Sequence, residues 1–84
     1  MLANLFQVLS HPVRLQLLKI LSTRADCICG EVIEIGSFSQ ATVLKHLRIL
    51  QQAGFIQGNL EGSSRCYWIN AETLQMFKQM VERL

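Results

Sequence analysis

Apolar residues recur at helical intervals along the first half of this 84-residue chain. Leu2, Leu5, Phe6 and Leu9 stand at i, i+3, i+4 and i+7, which predicts a helix over residues 2–9. Ser10-His11-Pro12 interrupts the stripe, and proline suits a first helical turn because its missing N–H has no partner to lose there. A second helix is therefore expected from Pro12 to about Ser22, with Val13, Leu17, Leu18 and Leu21 facing inward. Leu15 and Ile20 fall off that stripe, which predicts burial on more than one side. Residues 23–26 are polar and read as a connection. A short helix from about Cys29 to Ile35 is expected next, ended near Gly36 and followed by a tight turn at residues 37–39. Ser39 suits the N-cap of the next helix, since its hydroxyl can accept an orphan N–H. That helix spans residues 40–53, its inner side marked by Val43, Leu47 and Leu50, and Gly54 supplies a left-handed stop.

After Gly54 the period changes from 3.6 to 2. Residues 55–60 and 65–69 read as strands joined by Glu61-Gly62-Ser63-Ser64, a hairpin with glycine at its tip. Asn70 caps a last helix whose stripe is Leu74, Phe77, Val81 and Leu84, with Met80 on the flank. The expected class is mainly α with a small β-hairpin, in the order α-α-α-α-β-β-α. That is a winged helix-turn-helix, whose second helix enters a DNA major groove. There is no linker, repeat or biased tract, so residues 1–84 read as one domain.

Composition narrows the possibilities. Half of the residues are hydrophobic and 17% are charged, which excludes a disordered or low-complexity chain. Apolar runs are short and broken by charge, so no membrane span is expected. The start, Met1-Leu2-Ala3-Asn4, has neither the basic region nor the cleavage site of a signal peptide, and a cytoplasmic location is expected. A domain this small buries only about 60–65% of its unfolded surface. Its large apolar share therefore points to a subunit interface, formed by the terminal helices over about residues 1–9 and 71–84. Scattered carboxylates, no glycine-rich phosphate loop and no Ser/His/Asp nucleophile pattern argue against an enzyme. No cofactor is required. Three cysteines, an odd number without a secretory signal, argue against a disulfide framework and leave inert, metal-ligating or redox thiols.

The net charge of +2 says little by itself, but its distribution says more. Residues 37–70 hold Lys45, Arg48 and Arg65 against Glu61 alone, whereas residues 26–34 hold Asp26, Glu31 and Glu34 without a base. At 100° per residue, with Val43, Leu47 and Leu50 inward, Ala41, Lys45, Arg48 and Gln52 point away, flanked by Thr42 and Leu44. Ser39 and Gln40 lie at the N-terminal end, where such helices touch base edges. Glutamine can pair with adenine, and a threonine methyl can meet thymine. Lys45, Arg48 and the helix N-terminus suit phosphates. His46 lies toward the edge of the buried side, where packing or a phosphate hydrogen bond is expected. The candidate DNA contacts are Ser39, Gln40, Ala41, Thr42, Leu44, Lys45, His46 and Arg48, with Ser63, Ser64 and Arg65 from the wing.

Leu9-Ser10-His11-Pro12-Val13-Arg14-Leu15 followed by Ile20-Leu21 resembles the "L-x-x-P-x-R-L-x-I-L" opening of the ArsR/SmtB family of metal-responsive repressors. The run from Ser39 to Leu47, then Leu50, Ala53-Gly54-Phe55-Ile56 and Glu61-Gly62, is similar to the family's recognition helix and wing. The match covers about residues 4–70. It implies a cytoplasmic homodimer that binds double-stranded DNA at an inverted-repeat operator, two recognition helices standing about 34–36 Å apart. It also implies repression until an inducer releases the protein. Leu44 departs from the family, which often has serine there; an apolar side chain at the groove edge suits thymine methyls.

Cys27-Ile28-Cys29-Gly30-Glu31-Val32 resembles the family's "C-V-C-D/E-L" metal box. Thiolates are soft donors suited to As(III) and soft divalent metal ions. Residues i and i+2 lie about 200° apart on a helix but on one side of an extended segment. Cys27 and Cys29 can therefore share an ion only where the chain is extended or unwound. Cys66, at the base of the wing, is a candidate third ligand. The adjacent third thiol of some arsenic sensors is missing here, and residues 71–84 lack the His and Asp of the family's other metal site. Two alternatives stand beside the metal-released repressor. One keeps DNA binding and assigns the thiols to redox or persulfide sensing. The other is a winged-helix protein-interaction module that never touches DNA.

Overall fold

The computed structural model describes residues 2–24 and 26–84; Met1 of the expected first helix and Ala25 of the expected connection lie outside the described residues. Among the described residues, four helices and three strands follow one another as α1 (Leu2–Val8), α2 (Pro12–Ser22), β1 (Ile28–Cys29), α3 (Gln40–Gln52), β2 (Ile56–Asn59), β3 (Cys66–Ile69) and α4 (Ala71–Glu82). The helix starts are built as their sequences suggest. Nδ1 of His11 accepts the Val13 N–H at 3.2 Å with Pro12 in the first turn, Ser39 Oγ accepts the Thr42 N–H at 3.2 Å, and Asn70 Oδ1 accepts the Thr73 N–H at 3.3 Å. Gly54, at φ +90°, ends α3 in the left-handed region that glycine tolerates.

The strands form one antiparallel sheet in the order β1-β3-β2. The β2–β3 hairpin is the wing. Gly58 sits opposite Tyr67 at φ +115°, and a Cβ there would run into the Cys66 carbonyl. Leu17 and Leu21 of α2, Val43, Leu47 and Leu50 of α3, and Phe55, Ile56 and Tyr67 of the wing enclose the core. Each fully buried leucine contributes about 1.5–3 kcal/mol relative to an exposed one, so α3 is anchored chiefly by its inner stripe. The result is a mainly helical winged helix-turn-helix.

Two expectations need correction. Leu15 is 53% exposed rather than buried on a second side of α2. The short helix over residues 29–35 is absent, and β1 stands at its start. Gly30 has φ +77°, which no helix accommodates, and the backbone groups that a helix would pair internally go to the wing instead. The Gly30 N–H donates to the Arg65 carbonyl at 2.8 Å. The Tyr67 hydroxyl donates to the Glu31 carbonyl at 3.0 Å and accepts the Ile33 N–H at 3.2 Å. Ile28, Val32 and Ile35 still bury their side chains, so the segment leading into α3 is a packed arm without helical bonding.

At the other end, α1 packs on α4 edge to face through Phe6 and Phe77, and Phe77 meets Phe55 in the same way, with centroids 5.4 and 5.7 Å apart. No residue of α4 is fully buried. Leu74, Phe77 and Met80 rest half-buried on the core, whereas Met76, Val81 and Leu84 face outward with Phe6 of α1. Among the described residues, no helix is long and apolar enough to cross a membrane.

Candidate nucleic-acid interface and thiol site

The outer face of α3 is as the helical projection anticipates: Gln40, Ala41, Lys45, Arg48 and Gln52 are exposed, and Thr42 and Leu44 are half-buried at its edges. The Ser39 hydroxyl is occupied by its cap and by a 3.0 Å bond with Thr42 Oγ1. The three cations differ in freedom. Arg48 is paired with Glu61 at the wing tip, through Nε at 3.1 Å and the terminal nitrogen at 3.0 Å. Arg65 donates from Nε to the Leu60 carbonyl at 2.9 Å. Lys45 makes no ion pair among the described residues.

Helix and wing are tied to each other. Gln51 donates to the Gly58 carbonyl at 2.8 Å, a second link beside Arg48–Glu61. Asn59 organises the wing turn: its amide nitrogen donates to the Glu61 carbonyl at 3.0 Å and to Ser64 Oγ at 3.0 Å, and its oxygen accepts the Glu61 N–H at 3.1 Å. Ser63 and Ser64 are exposed beside it.

His46 requires a correction. It is only 8% exposed, on the inner side of α3, so its ring belongs to the packing beneath the helix rather than to the outer face. It lies against the His11 ring with centroids 4.3 Å apart. Burial holds its imidazole below the usual histidine range, with His11, Arg14 and Lys45 adding to the effect. Its Nδ1 and the Arg14 Nε are buried with no hydrogen-bond partner among the described residues.

All three cysteines come together. Because β1 is extended, Cys27 and Cys29 project on one side, with their sulfurs 3.5 Å apart. Cys29 faces Cys66 across the β1–β3 pair, Cα to Cα 4.1 Å, and the two form a disulfide between residues 37 apart in the chain. The cysteine count, with no secretory signal, argues against a disulfide framework, and the one bridge here departs from that expectation. What brings the pair together is strand register, which the count does not reveal. Cys27 remains free and exposed. With Cys29 and Cys66 joined, no group of three metal-ligating side chains converges among the described residues. Reduction would leave three thiols in one cluster. Sulfurs bound about 2.3 Å from a common ion stand roughly 3.5–4 Å apart, so the spacing of Cys27 and Cys29 fits a shared soft ion.

The family described as bacterial regulatory protein, arsR family, matches residues 11–57 of this chain. The chain belongs to the ArsR family. It is 30% identical to an uncharacterized HTH-type transcriptional regulator of Methanocaldococcus jannaschii over 83 residues, covering 98% of this chain and 92% of that protein. It is 31% identical to the arsenical resistance operon repressor of Staphylococcus xylosus, covering 96% and 77%. It is 33% identical to a cadmium resistance transcriptional regulatory protein CadC homolog of Staphylococcus aureus, covering 96% and 64%. No solved structure gives a significant match.

As an ArsR-family member the chain is a DNA-binding transcriptional regulator, and the family is regulatory rather than enzymatic. The family match runs from α2 into β2, so it takes in α3, Cys27 and Cys29 but stops short of Cys66 and Tyr67. Asn59, Gln51 and Tyr67 hold the site together without standing out in the sequence pattern. Asn59 carried a usable signal, an asparagine two residues before Glu61-Gly62, where Asx side chains commonly bond the backbone of a turn. Gln51 and Tyr67 bond to groups that only the folded chain brings near.

Proposed function

We propose that this ArsR-family chain is a homodimeric repressor of an inverted-repeat operator, released by a thiophilic ion such as As(III) held at Cys27, Cys29 and Cys66. The observation that carries the inducer assignment is the convergence of the three sulfurs from β1, the residue just before it and β3, beside the arm that leads into α3. The arsenical and cadmium resistance names of two relatives agree with it.

On the DNA side, Ser39, Gln40, Ala41, Thr42 and Leu44 face the base edges while Lys45, Arg48 and Arg65, with wing Ser63 and Ser64, face phosphates. The exposed Arg48–Glu61 pair contributes only about 0–1 kcal/mol, so Arg48 can exchange Glu61 for a phosphate at little cost. His46 acts beneath the helix, holding it against α2. Dimerisation uses α1 and α4, where Phe6, Met76 and Val81, with Leu84 just beyond α4, turn large apolar side chains outward. Between them lies a cleft of about 490 Å³ lined by Leu5, Val8, Ile49, Ala53, Thr73 and Met76 among others, on the same flank.

The test is fluorescence anisotropy with DNA from the protein's own promoter, using fully reduced protein. Operator binding well above that to random DNA, abolished by stoichiometric As(III) with thiolate-to-metal absorption at the same equivalence point, supports the proposal. Equal binding to random DNA at moderate salt would refute the repressor assignment. Undiminished binding in saturating As(III) and Cd(II) would refute the inducer. The Cys29–Cys66 disulfide favours a second function, in which thiol oxidation is the signal; release by oxidant, with metals silent, selects it.

A further inference from the structure

We propose that Cys27 is the attacking thiol of an internal exchange that moves the cross-link from Cys29–Cys66 to Cys27–Cys29. The inference rests on the same sulfur cluster as the sensor assignment, but it concerns the oxidised chain and involves no metal.

Thiol–disulfide exchange requires a free thiolate in contact with one sulfur of a disulfide, which passes through a mixed bond as the other sulfur leaves. The oxidised chain holds those parts in one place. Cys27 Sγ lies 3.5 Å from Cys29 Sγ, and Cys29 is already bonded to Cys66. Cys27 is free and exposed. Cys29 of β1 faces Cys66 across the strand pair, and Cys27, two residues earlier and just before β1, brings its sulfur to the same side. In the exchange, the Cys27 thiolate bonds to Cys29 Sγ, the Cys29–Cys66 bond breaks, and Cys66 leaves with the electron pair and takes up a proton. One disulfide and one thiol exist before and after, so no oxidant or reductant is consumed.

The exchange changes what is cross-linked. The initial bond spans 37 residues and fastens the wing strand to β1; the product spans two residues and leaves the wing free of it. Cys66 precedes Tyr67, whose hydroxyl holds the arm before α3. The third thiol thus gives the oxidised protein two positional forms, one with the wing stapled and one without.

The full-length oxidised protein is incubated at neutral pH, quenched in acid, and its single thiol labelled with a maleimide that reacts before the disulfide can rearrange. Peptide mapping then locates the label. The expected result is label on both Cys27 and Cys66, with Cys66 carrying roughly a tenth or more of the amount on Cys27 at any protein concentration. Cys27→Ser should abolish label at Cys66 and slow amide exchange at residues 28–29 and 66–67 relative to the oxidised wild type. Label confined to Cys27, label on Cys66 undiminished in Cys27→Ser, or a Cys66 share that rises with protein concentration would each overturn the proposal. So would a chain that keeps three free thiols under oxidation. As(III) titration of the reduced wild type, run in parallel, separates the two claims. Metal uptake with label confined to Cys27 defeats the exchange alone, and label on both cysteines without metal uptake defeats the inducer alone.

Discussion

Removing one oxygen atom from the wing strand should loosen a segment 34 to 36 residues away along the chain. Tyr67 is fully buried, and its hydroxyl bonds to both the Glu31 carbonyl and the Ile33 N–H in the arm that replaces the expected short helix. Tyr67→Phe keeps the ring in its packing and deletes both bonds. Each is worth about 0.5–1.5 kcal/mol net. The full penalty for buried unpaired groups does not apply, because Glu31 is exposed and its carbonyl can turn to water. The loss is therefore about 2 kcal/mol, against about 4–13 kcal/mol of total stability for a domain of this size. That corresponds to a fall in Tm of about 8–16 °C. Urea and thermal unfolding of reduced wild type and variant measure it. Hydrogen exchange should localise the loosening to residues 31–38, while the inner stripe of α3 keeps its protection. A second signature comes from titration. Burial pushes the Tyr67 phenol above its ordinary 10.0, so its contribution is complete below pH 10 and is lost as pH rises toward the folded value. The phenylalanine variant should lack that alkaline loss. A stability change under about 0.5 kcal/mol, or protection at residues 31–38 equal to wild type, would refute the claim that this hydroxyl holds the arm.

Three further outcomes are expected. Lys45→Ala should weaken binding to operator and random DNA alike and reduce the salt slope of log K by about 1, as measured by anisotropy between low and moderate salt; an unchanged slope would remove Lys45 from the phosphate contacts. Gly58→Ala should destabilise the chain by about 3 kcal/mol, because φ is +115° and the new Cβ would meet the Cys66 carbonyl and lie 2.9 Å from the Trp68 ring; urea unfolding decides it, and a near-neutral result would show that the strand can relax there. His46 titrates below its ordinary 6.5 because of burial, so the unfolded chain takes up the proton first. Stability should fall as pH drops below about 6.5 and level off below the folded value, and His46→Gln should remove that part of the slope.

How far the sequence revealed this molecule depends on where each residue's partners lie. The cap at Ser39, the stop at Gly54, the turn at Gly62 and the cap at Asn70 act within a few residues, and α3, the wing and α4 were legible from them. The segment from Cys27 to Ile35 was not. Ile28, Val32 and Ile35 repeat at i, i+4 and i+7, a spacing that favours a helix, yet the same side chains are buried by an extended arm. Gly30 and the β-branched run of Val32, Ile33 and Ile35 suit the extended backbone instead. What settles the matter is the Tyr67 hydroxyl, 34 to 36 residues away, which no local pattern encodes. The thiol site divides along the same line. The spacing of Cys27 and Cys29 posed the question of an extended chain, but only β1–β3 register brings Cys66 to Cys29.

That long-range pairing supplies a route from the thiols to the proposed DNA face. Cys66 and Tyr67 are successive residues of β3, so what holds Cys66 acts next to the residue that carries the Tyr67 hydroxyl. The hydroxyl fixes Glu31 and Ile33; the Ile35 carbonyl accepts the Phe38 N–H at 3.0 Å; Ser39 follows and caps α3. Release of an operator by an inducer typically needs a coupling of about 1–3 kcal/mol, and the two Tyr67 bonds together supply about that much. Their loss would free the N-terminal end of α3, where Gln40 and Thr42 sit, while its inner stripe stays packed. Tyr67→Phe should therefore separate two properties that a thiol mutation would abolish together. In the proposed repressor the variant still takes up As(III) at the cysteines, but its operator affinity, already lowered, falls several-fold less on As(III) binding than that of wild type. An undiminished As(III) response in Tyr67→Phe would place the coupling elsewhere, with the Gln51–Gly58 and Arg48–Glu61 links between α3 and the wing as the remaining connections.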